Sequence, residues 1–252
     1  MSRLPAGAYH LTMTTVFYAP PDRFRDGHVD LPDDEARHAS RVLRHGVGDE
    51  LLVVDGVGGR HRARIVEVDR QRVRAAIVET ERMAGEPDYR LTLCAATLKN
   101  ASRYETFVEK AVELGVAEIT PLATERTERD RAKQTRLHNI MVAAMKQSGR
   151  CVLPVLHEPR PLEAVLAGAP AGLRLLCHEA AAREASLLAR LAEEGLIGDV
   201  TILVGPEGGF SEQEVERAVA SGWDVVSLGE RRLRAETAGI VAAAAVALHA
   251  AR

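Results

Sequence analysis

The stretch TILVGPEGGFSEQEVERAVASGWDVVSLGERRLRAETAGIVAAAAVAL (201–248) decides how the whole chain is read. Thr201, Ile202, Leu203 and Val204 make a short β-branched run that stops at Gly205 and Pro206, the pattern of a buried strand in an α/β sheet. Gly205, Pro206, Glu207, Gly208 and Gly209 follow at the strand's carboxyl end, where open α/β sheets bind ligands. Two adjacent glycines leave no Cβ to hold a ligand off the backbone. Ser211 and Glu214 have capping-box spacing and set the start of a helix. Residues 223–228 read as a second strand, and residues 229–238, rich in arginine and glutamate, lead into an alanine-rich terminal helix. A strand with a double-glycine turn is by itself an ordinary connection, and an arginine-rich loop by itself a solvated face. Two such loops on neighbouring strands point to a small-molecule site at one edge of the sheet.

Working outward, residues 91–97, 118–122 and 173–177 read as strands separated by helical patterns, and this alternation predicts a parallel sheet. Ser102 to Glu105 has the spacing of a helix cap, followed by the stripe Tyr104, Phe107, Val108, Ala111 and Val112. Lys99 falls in the loop before it, on the carboxyl edge. A helix over 135–148 places Leu137, Ile140, Met141 and Ala144 inside and ends in the polar group Lys146 to Arg150. His178 and Glu179 sit at the carboxyl edge of the strand over 173–177.

The first third follows a different pattern. Residues 1–12 show no periodicity, and residues 16–19 read as a strand stopped by Pro20 and Pro21. A helix is expected from Asp33 through Ala36, Ala39, Val42 and Leu43 to Gly46, with Arg37, Arg41 and Arg44 on its other face and Asp33 spaced to pair with Arg37. Those arginines are either solvated or in contact with phosphate. Strands over 51–55, 62–68 and 72–80, joined by glycine turns, predict a small β-barrel. Residues 81–88, with Gly85 and Pro87, break the pattern, dividing the chain into domains 1–82 and 88–252.

Composition removes several classes. A net charge of -3 over 252 residues rules out coating nucleic acid by bulk charge, so any such contact is a local patch. No apolar run reaches the roughly 18 residues of a membrane helix and the start lacks a signal-peptide pattern, so a cytoplasmic protein without a membrane partner is expected. Cys94, Cys151 and Cys177 are odd in number and far apart, which reads as reduced core thiols, and no metal-ligand spacing occurs. The glycine loop fits neither a dinucleotide fingerprint nor a P-loop, and there is no G-x-S-x-G elbow. The residues alone stop at an α/β ligand-binding domain with cationic loops and a barrel accessory.

GPEGGFSEQE (205–214) and LGERRLRAETA (228–238), together with Lys99, FVEKAVELGV (107–116) and QSGR (147–150), resemble the RsmE family of small-subunit (16S) rRNA uracil-N3 methyltransferases in the SPOUT superfamily. The resemblance runs from about Phe17 onward. It implies an α/β SPOUT-type parallel sheet closed by a C-terminal trefoil knot, which no periodicity reveals, with an N-terminal PUA-like β-barrel that engages RNA. It implies S-adenosyl-L-methionine as cofactor, held by Cys177, His178, Gly205, Pro206, Glu207, Gly208, Gly209, Leu228, Gly229 and Leu233. The partner it implies is 16S rRNA or the small ribosomal subunit, and the assembly a homodimer.

Methylation at uracil N3 needs the imide proton to leave and a cation where charge develops on the base. Arg234 is the leading candidate for that role, and Glu236 is expected to be its orienting partner or the acid at the helix N-terminus rather than the base. Lys99, Gln147 and Arg150, with Arg37, Arg41 and Arg44 on the barrel, are the expected RNA contacts. The chain departs from the family pattern at Glu230, Lys146, Thr14 and Thr15. A SPOUT enzyme acting on another RNA or on a ribose 2′-hydroxyl, and a non-catalytic RNA-binding protein, stand as the other readings.

Overall fold

The computed structural model describes residues 15–69, 72–127, 133–182, 184–195 and 198–251; the extension over 1–12 and Thr14 lie outside the described residues. Two compact units divide between Ala84 and Gly85.

The first unit contains β1 (Val16–Tyr18), β2 (Phe24–Arg25), β3 (His28–Asp30), helix α1 (Asp33–Arg37), β4 (Glu50–Val54), β5 (Gly59–Val68) and β6 (Val73–Arg82). They form one six-stranded sheet in the order β1-β4-β5-β6-β3-β2. Five strands send residues into a single core that includes Phe17, Val29, Val53, Ile65 and Ala75, so the sheet curls around its own interior. Register shifts between Arg62 and Ala63 and between Ile65 and Glu67 let the long β5–β6 pair bend.

The expected helix from Asp33 to Gly46 is corrected. Regular α-helix ends at Arg37, a π-helical turn carries His38–Val42, and Arg44 adopts a left-handed φ of 59°. The wider turn changes the phase of the helix. Ala36 and Ala39 stay fully buried, whereas Val42 and Leu43 come out at 65% and 38% exposure. Arg37, Arg41 and Arg44 are exposed, but Arg44 has left the helix, so the three do not share one helical face. Asp33 makes no ion pair with Arg37 among the described contacts.

The second unit holds β7 (Arg90–Ala96), α2 (Ala101–Glu113), β8 (Glu118–Ala123), α3 (Gln134–Ser148), β9 (Val155–Leu156), β10 (Arg160–Pro161), α4 (Leu162–Gly168), β11 (Leu173–Cys177), α5 (Leu187–Glu194), β12 (Asp199–Val204), α6 (Glu212–Ala220), β13 (Asp224–Val226) and α7 (Ala235–Ala250). All seven strands are parallel, in the order β10-β8-β7-β12-β11-β13 with β9 beside β8. After its first residue, every position of β7 and β12 is buried, which is why these central strands are apolar apart from Thr92 and Thr201 and do not alternate.

The strands that carry the two diagnostic loops are not neighbours: β12 pairs with β7 and β11, and β13 pairs only with β11. Thus β11 lies between them and its own loop completes the edge. From the edge strand β13 the chain crosses back, so that α7 packs on α2, α5, β7 and β12, a return consistent with the trefoil knot. At the α2–α7 crossing a Cβ on Gly239 would stand 2.5 Å from the Phe107 ring, so only glycine lets the helices come this close.

Two helix starts show how local sequence acts. The capping box of α6 is present, with Ser211 and Glu214 satisfying each other's backbone N–H groups. At α2 the cap is Asn100 rather than Ser102: the Asn100 carboxamide oxygen accepts from the Ser102 N–H at 3.0 Å, and Ser102 lies inside the first turn.

Candidate functional site

Loops at the carboxyl ends of β11, β12 and β13 enclose a cavity of about 570 Å³. Cys177 and His178 contribute from the first, Gly205, Pro206, Glu207 and Gly209 from the second, and Leu228, Gly229, Leu233 and Arg234 from the third. Backbone hydrogen bonds link the first and third: the His178 N–H donates to the Val226 carbonyl at 3.0 Å, and the Leu187 N–H to that of Ser227 at 2.9 Å. Gly209 and Gly229 hold left-handed φ values of 68° and 109° that L side chains rarely adopt, and Gly209 closes its turn with an N–H bond to the Pro206 carbonyl at 2.9 Å. The walls combine the apolar side chains of Val204, Leu228, Leu233 and Ala238 with backbone groups, the composition of a small-molecule site. Burial pushes the Cys177 thiol up to about 12, so it lines the cavity as a neutral, weakly polar group.

Cations concentrate at the rim. Arg231, Arg232 and Arg234 all border the cavity, and Arg232 reaches across to Glu179 of the first loop at 3.5 Å. Arg234 occupies the N-cap position of α7 with its side chain exposed, so its guanidinium and the positive end of a long helix face the same space. Glu236 does not orient it. That carboxylate pairs instead with Arg103 of α2, Nε to Oε1 at 3.7 Å, and its Oε2 is enclosed without a hydrogen-bond partner among the described residues. Of the two expected roles for Glu236, the pairing with Arg234 is absent among the described residues and the helix N-terminal acid is present: Glu236 lies in the first turn of α7 and ties it to α2.

Gly208 also departs from expectation. It stands outside the cavity lining and turns toward Arg126, whose Cδ would lie 3.4 Å from an added Cβ. Gly208 opens onto a second, wider groove bordered by Lys99, Asn100, Arg103, Arg126 and Glu207. The glycine loop is thus a wall shared by an enclosed cavity and a cationic groove, with Glu207 bordering both.

Arg126 fastens that wall: its Nη1 donates to the Gly208 carbonyl at 2.7 Å and the Phe210 carbonyl at 3.3 Å. Beside it, the Glu125 N–H donates to Glu214 Oε1 at 2.9 Å, so the carboxylate that caps α6 also anchors the segment after β8. Sequence reasoning missed Arg103 and Arg126. Both had a usable signal on the ligand edge of the sheet: Arg126 lies three residues past the carboxyl end of β8, and Arg103 lies in the first turn of α2, just after the loop that leaves β7.

The structure separates the remaining expected RNA contacts. Lys99 lies on the groove. Gln147 is exposed at the end of α3, which runs back from the carboxyl end of β8 toward the start of parallel β9, so it stands at the opposite edge of the sheet from the cavity. Arg150 is 5% exposed and is not available to RNA, which corrects its assignment. Its Nε and Nη2 donate to Glu86 Oε2 at 3.0 and 2.7 Å, and its Nη1 donates to the Val112 and Val116 carbonyls at 2.8 and 3.0 Å.

Residues 85–247 match the RNA methyltransferase domain family and residues 31–78 the RNA methyltransferase PUA domain family. Ribosomal RNA small subunit methyltransferase E of Synechocystis sp. is 34% identical over 230 residues, covering 90% of this chain and 75% of that protein. A probable rRNA-methyltransferase from Porphyromonas gingivalis superposes with a TM-score of 0.83 at 38% identity, over 94% of this chain and 98% of the other. Ribosomal RNA small subunit methyltransferase E from Neisseria gonorrhoeae, solved with bound S-adenosyl methionine, gives 0.82 at 32% identity, over 92% and 96%.

Proposed function

We infer the reaction from the premise that this chain belongs to the RNA methyltransferase family, in the branch of ribosomal RNA small subunit methyltransferase E: it methylates small-subunit ribosomal RNA from S-adenosyl-L-methionine. The acceptor atom we propose is uracil N3 of 16S rRNA, in the cytoplasm. The observation that carries this reading is the three-loop cavity with Arg234 at its rim.

The cavity fits the cofactor by its own chemistry. Backbone groups of the second and third loops are open for hydrogen bonds, apolar walls suit an adenine ring, and the protonated Cys177 puts no anion beside the ligand. The bound cofactor supplies an electrophilic methyl group on a sulfonium. The chain's contribution is to hold the base with N3 in line and to stabilise the charge that appears as the imide proton leaves. Arg234 and the N-terminus of α7 supply positive potential at that point, and the N-cap position sets where the arginine leaves the backbone. Glu236, by joining Arg103, holds the first turn of α7 against α2 and keeps Arg234 in place. Arg41 and Arg44, exposed on the first unit, are proposed as phosphate contacts. Two copies are proposed to associate through α7, which leaves Val241 and Leu248 at 37% and 71% exposure.

Incubation of the protein with 16S rRNA or small subunits and labelled cofactor, followed by digestion to nucleosides and mass analysis, tests the reading. The product expected is 3-methyluridine; methyl on a ribose or on another base refutes the assignment. Arg234→Ala is expected to lower turnover by about 10²–10³ while leaving cofactor affinity nearly unchanged, as for a group that acts only on developing charge. A variant with near-normal turnover removes Arg234 from the mechanism.

A further inference from the structure

We propose that the groove behind the glycine loop binds the RNA phosphate backbone, and that Arg126 is a positioning residue through which RNA in the groove and cofactor in the cavity strengthen each other's binding. The inference rests on the methyltransferase reading and adds to it a second ligand subsite and a coupling device.

The loop after β12 borders both spaces: Gly209 lines the cavity, Gly208 the groove, and Glu207 both. From the groove side the Arg126 side chain holds this backbone. Arg126 lies along the loop with its Nη1 shared between the carbonyls of Gly208 and Phe210. Its Nε and Nη2 make no hydrogen bond among the described residues, and the side chain is exposed along the groove. A guanidinium offers five N–H donors in a rigid fork, enough to grip two carbonyls on one side and a phosphate oxygen pair on the other.

The groove has the charge for such a ligand. Lys99 and Arg103 stand with Arg126 against two carboxylates, and one of these, Glu125, is already neutralised by Arg217 at 2.9 Å. Arg103 meets Glu236 at 3.7 Å, an ion pair without a hydrogen bond, so it keeps donors for a phosphate. The base of Arg126 is fixed as well: the Thr124 N–H donates to the Thr127 hydroxyl at 2.9 Å and the Glu125 N–H to Glu214. The backbone cannot drift, so the guanidinium is the movable link.

A phosphate bound to Nε and Nη2 would restrict the guanidinium, and with it the two carbonyls that shape the cavity wall. Cofactor packed against Gly209 would restrict the same loop from the other face and so preset Arg126 for phosphate. Each ligand then pays less ordering entropy when the other is present, and the coupling is equal in both directions.

Equilibrium dialysis of labelled S-adenosylhomocysteine, the unreactive product, against the full-length protein tests this, with and without saturating 16S rRNA transcript. Wild-type protein is expected to bind it about fivefold more tightly or better when RNA is present. Lys99→Gln and Arg103→Gln should weaken RNA binding and flatten its salt dependence, yet keep that factor once RNA saturates. Arg126→Ala should bring the factor to about one, and Arg126→Lys, which keeps the charge but not the fork, should retain only part of it. Should Arg126→Ala fail to fold in a thermal melt, Arg126→Lys decides the matter. Binding of the homologue by wild-type protein without any effect of RNA overturns the inference, as does full coupling in either Arg126 variant. Wild-type protein that binds no homologue under either condition sinks the methyltransferase reading beneath it.

Discussion

Replacing Arg150 by alanine separates the structural role seen here from the RNA contact that the QSGR segment suggests. Arg150 is 5% exposed, and the Glu86 side chain is 2% exposed. Two of the arginine's hydrogen bonds go to Glu86 Oε2, while Oε1 of the same carboxylate accepts the N–H groups of Cys151 and Val152 at 2.8 and 3.0 Å. Removing the guanidinium leaves a buried carboxylate with backbone donors but no counter-charge. Breaking a buried pair from one side costs about 3–5 kcal/mol. Of the two carbonyls that lose a donor, that of Val112 keeps the Gly115 N–H at 3.1 Å, so it adds little. A cost of about 4 kcal/mol in a unit of this size lowers Tm by roughly 10 °C, at about 2–4 °C per kcal/mol. Thermal and urea melts followed by circular dichroism measure it, with RNA affinity determined below the transition. Pairing Arg150→Met with Glu86→Leu should recover much of the loss, because the charge left unpaired is then gone too. A Tm within about 2 °C of wild type, accompanied by weaker RNA binding, would refute the argument and restore Arg150 to the RNA surface.

Two further outcomes follow from the exposed surfaces. Arg41→Glu with Arg44→Glu should weaken RNA binding and flatten its salt dependence by about one to two phosphate contacts, with cofactor affinity and Tm nearly unchanged; an unaltered salt slope returns these arginines to plain solvation. Light scattering at micromolar concentration should give the mass of two chains, and introducing charge with Leu248→Glu should shift it toward one; a wild-type monomer would count against association through α7.

Most of the second unit was legible because the elements read from it each obey one dominant rule, whereas β9, β10, α4 and α5 went unread. Strands such as β7 and β12 are buried on both faces, so their sequences are largely apolar, broken only by the buried Thr92 and Thr201, and Ser211 with Glu214 marks the start of α6 from purely local bonding. The first unit was legible as a set of strands but not at α1. Between Ala39 and Arg44 the helix widens into a π turn and then stops in a left-handed residue, and neither event has a side-chain signature that periodicity detects. The short hairpin of β2 and β3 escaped for a related reason: two- and three-residue strands give too little pattern to read.

At the site, a rule about place outperformed inference about pairing. The expectation that ligands gather at the carboxyl ends of parallel strands located the loops of Gly205, Gly209 and Arg234 on one cavity, while Cys177 came from the family resemblance and it took the interposed β11 to bring the loops together. Inference from sequence proximity failed where the third dimension intervened. Arg234 and Glu236 are two residues apart, yet at the entry to α7 they face different neighbours: the arginine caps the helix beside the cavity, and the glutamate turns to Arg103, more than a hundred positions earlier in the chain. Gly208 and Gly209 are adjacent, yet the turn puts one on each side of the same wall. Arg126 and Arg150 show the converse. One is exposed and fastens the loop after β12, the other is buried and fastens the start of the second unit, and nothing in a run of residues around an arginine distinguishes those fates. What separates them is burial next to a carboxylate, because a guanidinium enclosed with Glu86 cannot be withdrawn to meet a phosphate without stranding the opposite charge.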